Sequence, residues 1–207
     1  MNKGFGASLT GDKKHNASPA LHAKVSMRRN VLDAIGRDRA RVFDAYAGPG
    51  AMYDGAWYEA AQYTGCDEEW FRDARRVFVA DNQVVLRALD LDAFNIFDLD
   101  AFGSPWECAT IIAARRKVQP GELVGLCLTD GSGLRLKLSG VPHALARLAG
   151  VGGNVRLANR GHEAMFSRAL DVVCERMGAR VVKRWRAVAT ARAVMRYEAV
   201  VMEGFTG

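Results

Sequence analysis

Hydrophobic positions along this chain follow two periods, and the change between them separates helices from strands. From Pro19 to Ile35, the residues Leu21, Val25, Val31, Leu32 and Ile35 recur at roughly helical spacing, and Ser18 suits an N-terminal cap. After Gly36 short apolar runs take over. Arg41–Ala45 predicts a buried strand, and Gln62–Cys66, Arg76–Ala80, Phe94–Leu99 and Leu123–Leu128 each predict a further short apolar strand. Asp44, Asp67, Asp81, Asp100 and Asp130 stand at or just past their carboxyl ends. Glu68–Arg75, Gln83–Leu89 and Trp106–Lys117 fit between them as helices. Strands alternating with helices predict an α/β fold with a parallel sheet, whose ligands bind at the carboxyl edge.

The remaining pattern closes that sheet. Gly131–Gly153 is rich in Gly and Leu and predicts a loop with a short helix over Pro142–Leu148. Glu163–Met177 is a stronger helix, with Gly178 as its C-terminal stop. Arg180–Val188 and Arg192–Glu203 read as a hairpin that brings the sheet to seven strands with one antiparallel strand. Residues 19–207 therefore form a single domain, and the polar, Gly- and Lys-rich residues 1–18 a flexible tail.

Composition narrows the function classes. The chain has 207 residues and is 49% hydrophobic and 25% charged, as ordinary globular proteins are. A net charge of +6 permits an acidic partner such as nucleic acid without requiring one. The four cysteines are scattered, and the four histidines have no ligand spacing, so no metal site is expected. No apolar run is long enough to span a membrane and the N-terminus lacks a signal core, which places the chain in the cytoplasm.

Four places carry candidate chemistry. Gly48 and Gly50 follow Asp44 and allow a tight turn against a ligand. The third glycine of a dinucleotide fingerprint is absent, since Tyr53 stands there, which weighs against a nicotinamide cofactor. Asp67 can accept both hydroxyls of a ribose, and it equally suits a helix cap; Asp81 and Asn82 invite the same two readings. Asp98 and Asp100 interrupt an apolar strand, which is costly unless they are used or paired, and their spacing puts them on one side.

These motifs carry a resemblance. Asp44-Ala45-Tyr46-Ala47-Gly48-Pro49-Gly50 resembles motif I of class I S-adenosylmethionine-dependent methyltransferases, and with Tyr53-Asp54-Gly55 it looks like an element of the three-Cys-motif partner type. Asp98-Leu99-Asp100-Ala101-Phe102-Gly103-Ser104-Pro105 is similar to motif IV of the tRNA guanine-N2 dimethyltransferase family, and Leu123–Asp130 resembles that family's next strand. Ala101 replaces the family's proline, but its carbonyl remains. The resemblance covers about Val42–Asp130 and implies a Rossmann-like methyltransferase fold with helices on both faces.

It also implies S-adenosyl-L-methionine as cofactor, held by Asp44, Tyr46, Gly48, Gly50, Asp67, Asp81, Asn82 and Asp98. Asp100 and the Ala101 carbonyl would accept the protons of a target amine, and Phe102 would stack on its base. The basic N-terminal stretch of His15, His22, Lys24, Arg28 and Arg29 can touch substrate phosphate, or equally form a solvated helix face. The function expected is N-methylation of an exocyclic amine on RNA or DNA, with a protein partner for recognition left open. A small-molecule or protein methyltransferase and a non-catalytic binding module are the alternatives; Ala101 gives some weight to the latter.

Overall fold

The computed structural model describes residues 18–69, 71–133, 140–152, 159–189 and 195–205. The predicted tail up to residue 17, His15 included, therefore lies outside the described residues, as do Trp70, residues 134–139 and 153 of the Gly131–Gly153 segment, and Arg192. The side chain of Ser18, the expected cap, also lies outside them.

Helix α1 (Ser18–Ile35) is followed by β1 (Arg41–Asp44), the short α2 (Ala51–Gly55), β2 (Gln62–Asp67), β3 (Val77–Val79), α3 (Asn82–Ala88) and β4 (Ile96–Leu99). Then come α4 (Trp106–Arg115), β5 (Leu123–Asp130), α5 (His143–Ala149), α6 (Asn159–Arg176), β6 (Ala179–Ala189) and β7 (Met195–Gly204). The seven strands form one sheet in the order β3-β2-β1-β4-β5-β7-β6. β1 to β5 pair in parallel, and β7 alone runs against its neighbours β5 and β6. The predicted architecture is thus the observed one.

Both faces of the central strands are covered, which is why they read as continuous apolar runs. Val42 and Ile96 point into one core with Val31, Leu32 and Trp57, while their neighbours Phe43 and Phe97 point into the other with Trp106, Ile112, Phe166 and Leu170. α1 lies close on β5: a Cβ at Gly125 would stand 2.5 Å from the Val31 side chain. That approach fixes the height of α1 over the sheet. α6 ends as the sequence suggested, with Gly178 at φ +71° and its N–H bonded to the Glu175 carbonyl at 2.9 Å.

One predicted helix is corrected. The described residues of Glu68–Arg75 form bends, not a helix. Local bonds take over there: Asp67 accepts the Glu69 N–H at 3.0 Å, Asp73 accepts the Arg75 N–H at 3.0 Å, and Arg72 is left-handed at φ +56°. Such side-chain bonds offer the backbone an alternative to the helical ladder. Among the described residues no helix is long and apolar enough to cross a membrane.

Candidate active site

The chain leaves β1 towards β2 and β3 on one side and returns to β4 and β5 on the other, so the strand order reverses between β1 and β4. Open α/β sheets bind ligands at such a point, beyond the carboxyl ends. Here the two ends carry Asp44 and Asp98, directly in register.

The glycine loop begins at Asp44. Ala47 N–H bonds the Cys66 carbonyl at 3.0 Å, and Gly48 N–H bonds Asp67 Oδ2 at 2.9 Å, which ties the loop to the end of β2. Gly48 has φ +44°, and a Cβ there would meet only the Tyr46 carbonyl, at 3.8 Å, so this side of the loop is open to a ligand. Gly50 needs glycine twice: its φ is +98°, and a Cβ would press within 3.1 Å of the Arg75 guanidinium. Arg75 donates to the Ala47 carbonyl at 2.9 Å and the Gly48 carbonyl at 2.6 Å. Sequence reading missed Arg75, since no spacing rule links it to a loop more than 20 residues upstream.

The structure divides the other candidates. Asp67 uses one lone pair of each oxygen, on Gly48 and Glu69, and keeps acceptor capacity at the β2 end. Asp81 caps α3 through the N–H groups of Gln83 and Val84, at 2.8 and 2.9 Å. Asn82 donates to the Ala45 carbonyl at 3.0 Å and accepts from the Cys108 thiol at 3.4 Å, while the Tyr46 hydroxyl meets the same sulfur at 3.4 Å. These two side chains therefore brace the end of β1 against α3 and α4.

Asp98 and Asp100 do face one side, and α1 meets them there. Arg28 holds Asp98 with both arms, Nε to Oδ2 and Nη2 to Oδ1, each at 2.6 Å. Trp57 Nε1 adds a bond to Oδ2 at 2.7 Å. Lys24, one turn earlier, meets Asp100 at 2.7 and 3.1 Å. This corrects two expectations. Arg28 is 2% exposed and committed to Asp98, so it is not a phosphate contact; Asp98 is 0% exposed and committed to Arg28 and Trp57, so it is not a cofactor ligand. Lys24 is likewise engaged at the site itself, and Arg29 stays exposed with its Nε on the Gly55 carbonyl at 2.9 Å.

The three buried acids are shifted in different directions. At Asp100 burial opposes ionisation, but Arg28 and Lys24 outweigh it and hold the carboxyl below its usual range. At Asp98 burial dominates over Arg28, and the carboxyl is pushed up. Asp44 is buried, lies beside Asp98, and is pushed up to about 8; its oxygens take the Tyr46 N–H at 3.1 Å and the Tyr63 hydroxyl at 3.0 Å. A folded pKa above the unfolded one means that folding retains a proton. Its contribution is complete below pH 3.8 and is lost as pH rises towards about 8. Urea unfolding is expected to show Asp44→Asn losing less stability between those limits than the parent. Equal slopes would show Asp44 ionised in the folded chain.

Beyond Asp100 the chain crosses the edge of the sheet. Ala101 is buried, and Phe102, at 77% exposure, presents its ring outward. Two clefts of about 250 Å³ lie elsewhere, one between α6 and the β6–β7 hairpin and one beside Tyr53, Tyr63 and Arg75. Neither is lined by Gly48, Asp67 or Asp100.

No family model matches this chain, and no curated protein matches it. Solved structures do. The chain is similar to Trm1 from Pyrococcus horikoshii, solved with S-adenosyl-L-methionine, at 16% identity and a TM-score of 0.56 over 89% of this chain and 56% of that one. It thus spans little more than half the length of that protein. It is also similar to the N-methyltransferase NodS from Bradyrhizobium japonicum, at 10% identity and a TM-score of 0.52 over 92% and 99% of the two chains. At these identities the likeness is one of fold: the chain has the Rossmann-like fold of these methyltransferases.

Proposed function

We propose that this chain is an S-adenosyl-L-methionine-dependent N-methyltransferase acting on an exocyclic amino group of a nucleic-acid base, in RNA or DNA. The observation that carries the reading is Asp100: a carboxylate kept ionised at the carboxyl end of β4, beside the reversal of strand order and two residues before an exposed Phe102. The guanine-N2 amine of tRNA is the acceptor that the motif around Asp100 suggests first.

The residues present fit the cofactor. Gly48 leaves an open side on the loop, and Asp67 retains acceptor sites for two ribose hydroxyls. When bound, S-adenosyl-L-methionine supplies a methyl group on a sulfonium. The chain's own work is alignment and hydrogen-bond acceptance, because an exocyclic amine is a weak nucleophile. Asp100 and the Ala101 carbonyl accept the amine's hydrogens, Asp100 stabilises the positive charge that develops on nitrogen, and Phe102 stacks on the base. For the amine to reach Asp100, Lys24 gives up part of its contact.

Calorimetric titration with S-adenosyl-L-methionine, with NAD as control, tests the reading first. Micromolar binding of the former alone is expected, and Asp67→Ala weakens it by about 1.5–3 kcal/mol through lost charged hydrogen bonds. Labelled methyl transfer to tRNA, rRNA and DNA then identifies the acceptor. Binding without transfer to any nucleic acid moves the reading to a small-molecule or protein acceptor.

A further inference from the structure

A fourth buried acid lies next to the loop that follows Asp100. Asp130, at the end of β5, is 0% exposed and makes three bonds: from Trp106 Nε1 at 3.0 Å, from the Ser132 N–H at 2.8 Å and with His162 Nε2 at 3.2 Å. These bonds, with His162, hold its carboxyl below the usual range despite burial. His162, on α6, is 2% exposed, and its Nδ1 faces Arg196 Nε at 3.3 Å. An arginine nitrogen only donates, so Nδ1 accepts and Nε2 carries the hydrogen given to Asp130.

Two of the three partners of Asp130, Trp106 and Ser132, adjoin the segment that holds Phe102. Trp106 is the first residue of α4 and ends that segment. Next to Ser132, the Gly131 N–H bonds the Gly103 carbonyl at 2.8 Å, and a Cβ on Gly131 would stand 2.6 Å from the Phe102 carbonyl. The loop of residues 101–105 is therefore anchored at Asp100 by α1 and at Trp106 and Gly103 by the Asp130 cluster.

We infer that Asp130 and His162 are positioning residues, which act through Trp106 and Gly131 to aim Phe102 and the Ala101 carbonyl at the acceptor. This rests on the methyltransferase reading for what is aimed, and on the bonds above for the aiming.

The test uses the full chain and its Asp130→Asn, His162→Leu and His162→Gln variants. Backbone hydrogen exchange reads the anchor directly. Asp130→Asn and His162→Leu are expected to speed exchange of the Gly131 amide about tenfold or more while β1 amides keep their rates. With an acceptor nucleic acid, both lower kcat about 10- to 100-fold, as misplaced reacting groups do, with cofactor affinity unchanged. His162→Gln, which can still donate to Asp130, restores both readouts. Exchange that rises uniformly through the chain, or does not rise at Gly131, overturns the inference, as does kcat within about twofold of the parent in both disrupting variants. If the parent transfers no methyl group, the function proposed above falls, and the exchange pattern still decides the positioning role.

Discussion

Asp100→Asn is expected to bind S-adenosyl-L-methionine as the parent does and to transfer methyl groups about 10²–10³-fold more slowly, the usual loss when a preorganised partner of developing charge is removed. Asparagine keeps the shape of the side chain and one acceptor oxygen, so the difference isolates the charge. That charge is well supported in the parent. Lys24 at 2.7 Å and Arg28 at 3.8 Å keep Asp100 ionised despite its burial. A carboxylate held this way is a poor base but a good electrostatic partner, which suits an amine that needs its developing positive charge stabilised. The measurement is single-turnover transfer of labelled methyl to the acceptor nucleic acid, with cofactor affinity from calorimetry as the control. Parent-like transfer by Asp100→Asn would remove Asp100 from the chemistry. Loss of cofactor binding along with transfer would instead make it a residue of the cofactor pocket.

The frame around Asp100 was legible in the sequence because local rules set it. Parallel strands buried on both faces must be apolar throughout, so β1, β2, β4 and β5 stood out with their acids at the ends. The two-residue spacing of Asp98 and Asp100 placed them on one side, and both do meet α1. What answers those acids was not legible. The partners lie 70 and 76 residues upstream, and nothing local distinguishes a lysine or arginine on an amphipathic helix from one facing water. The same holds for Arg75 on the glycine loop and Trp57 on Asp98, which depend on tertiary approach alone. The five-residue α2 buries only Met52 and has no periodicity to detect. At Glu68–Arg75 the expected crossover helix gave way to side-chain bonds from Asp67 and Asp73 to the backbone, which compete with the helical ladder.

Arg28→Met is expected to cost the fold about 3–5 kcal/mol, because it strands a buried carboxylate that the parent neutralises. Asp98 would keep only the Trp57 bond, with Asp44 and Asp100 close enough to oppose its charge. Arg28→Lys retains a cation but not the two-armed geometry of 2.6 Å bonds, so its loss is expected to be smaller than that of Arg28→Met. The double variant Arg28→Met with Asp98→Asn removes the charge along with its partner, and it recovers stability relative to Arg28→Met alone. The sign with pH follows from Asp98. Its folded pKa is raised by burial, and losing Arg28 raises it further, so the folded variant retains a proton that the unfolded chain releases. Below the ordinary carboxylate range both states are protonated and the missing partner costs least. As pH rises, the unfolded chain ionises first and the deficit grows. Urea unfolding across the acid-to-neutral range checks both points. A deficit that is flat with pH, or largest in acid, would mean that Asp98 does not depend on Arg28 for its charge, and the clamp of α1 on the candidate site would lose its electrostatic basis.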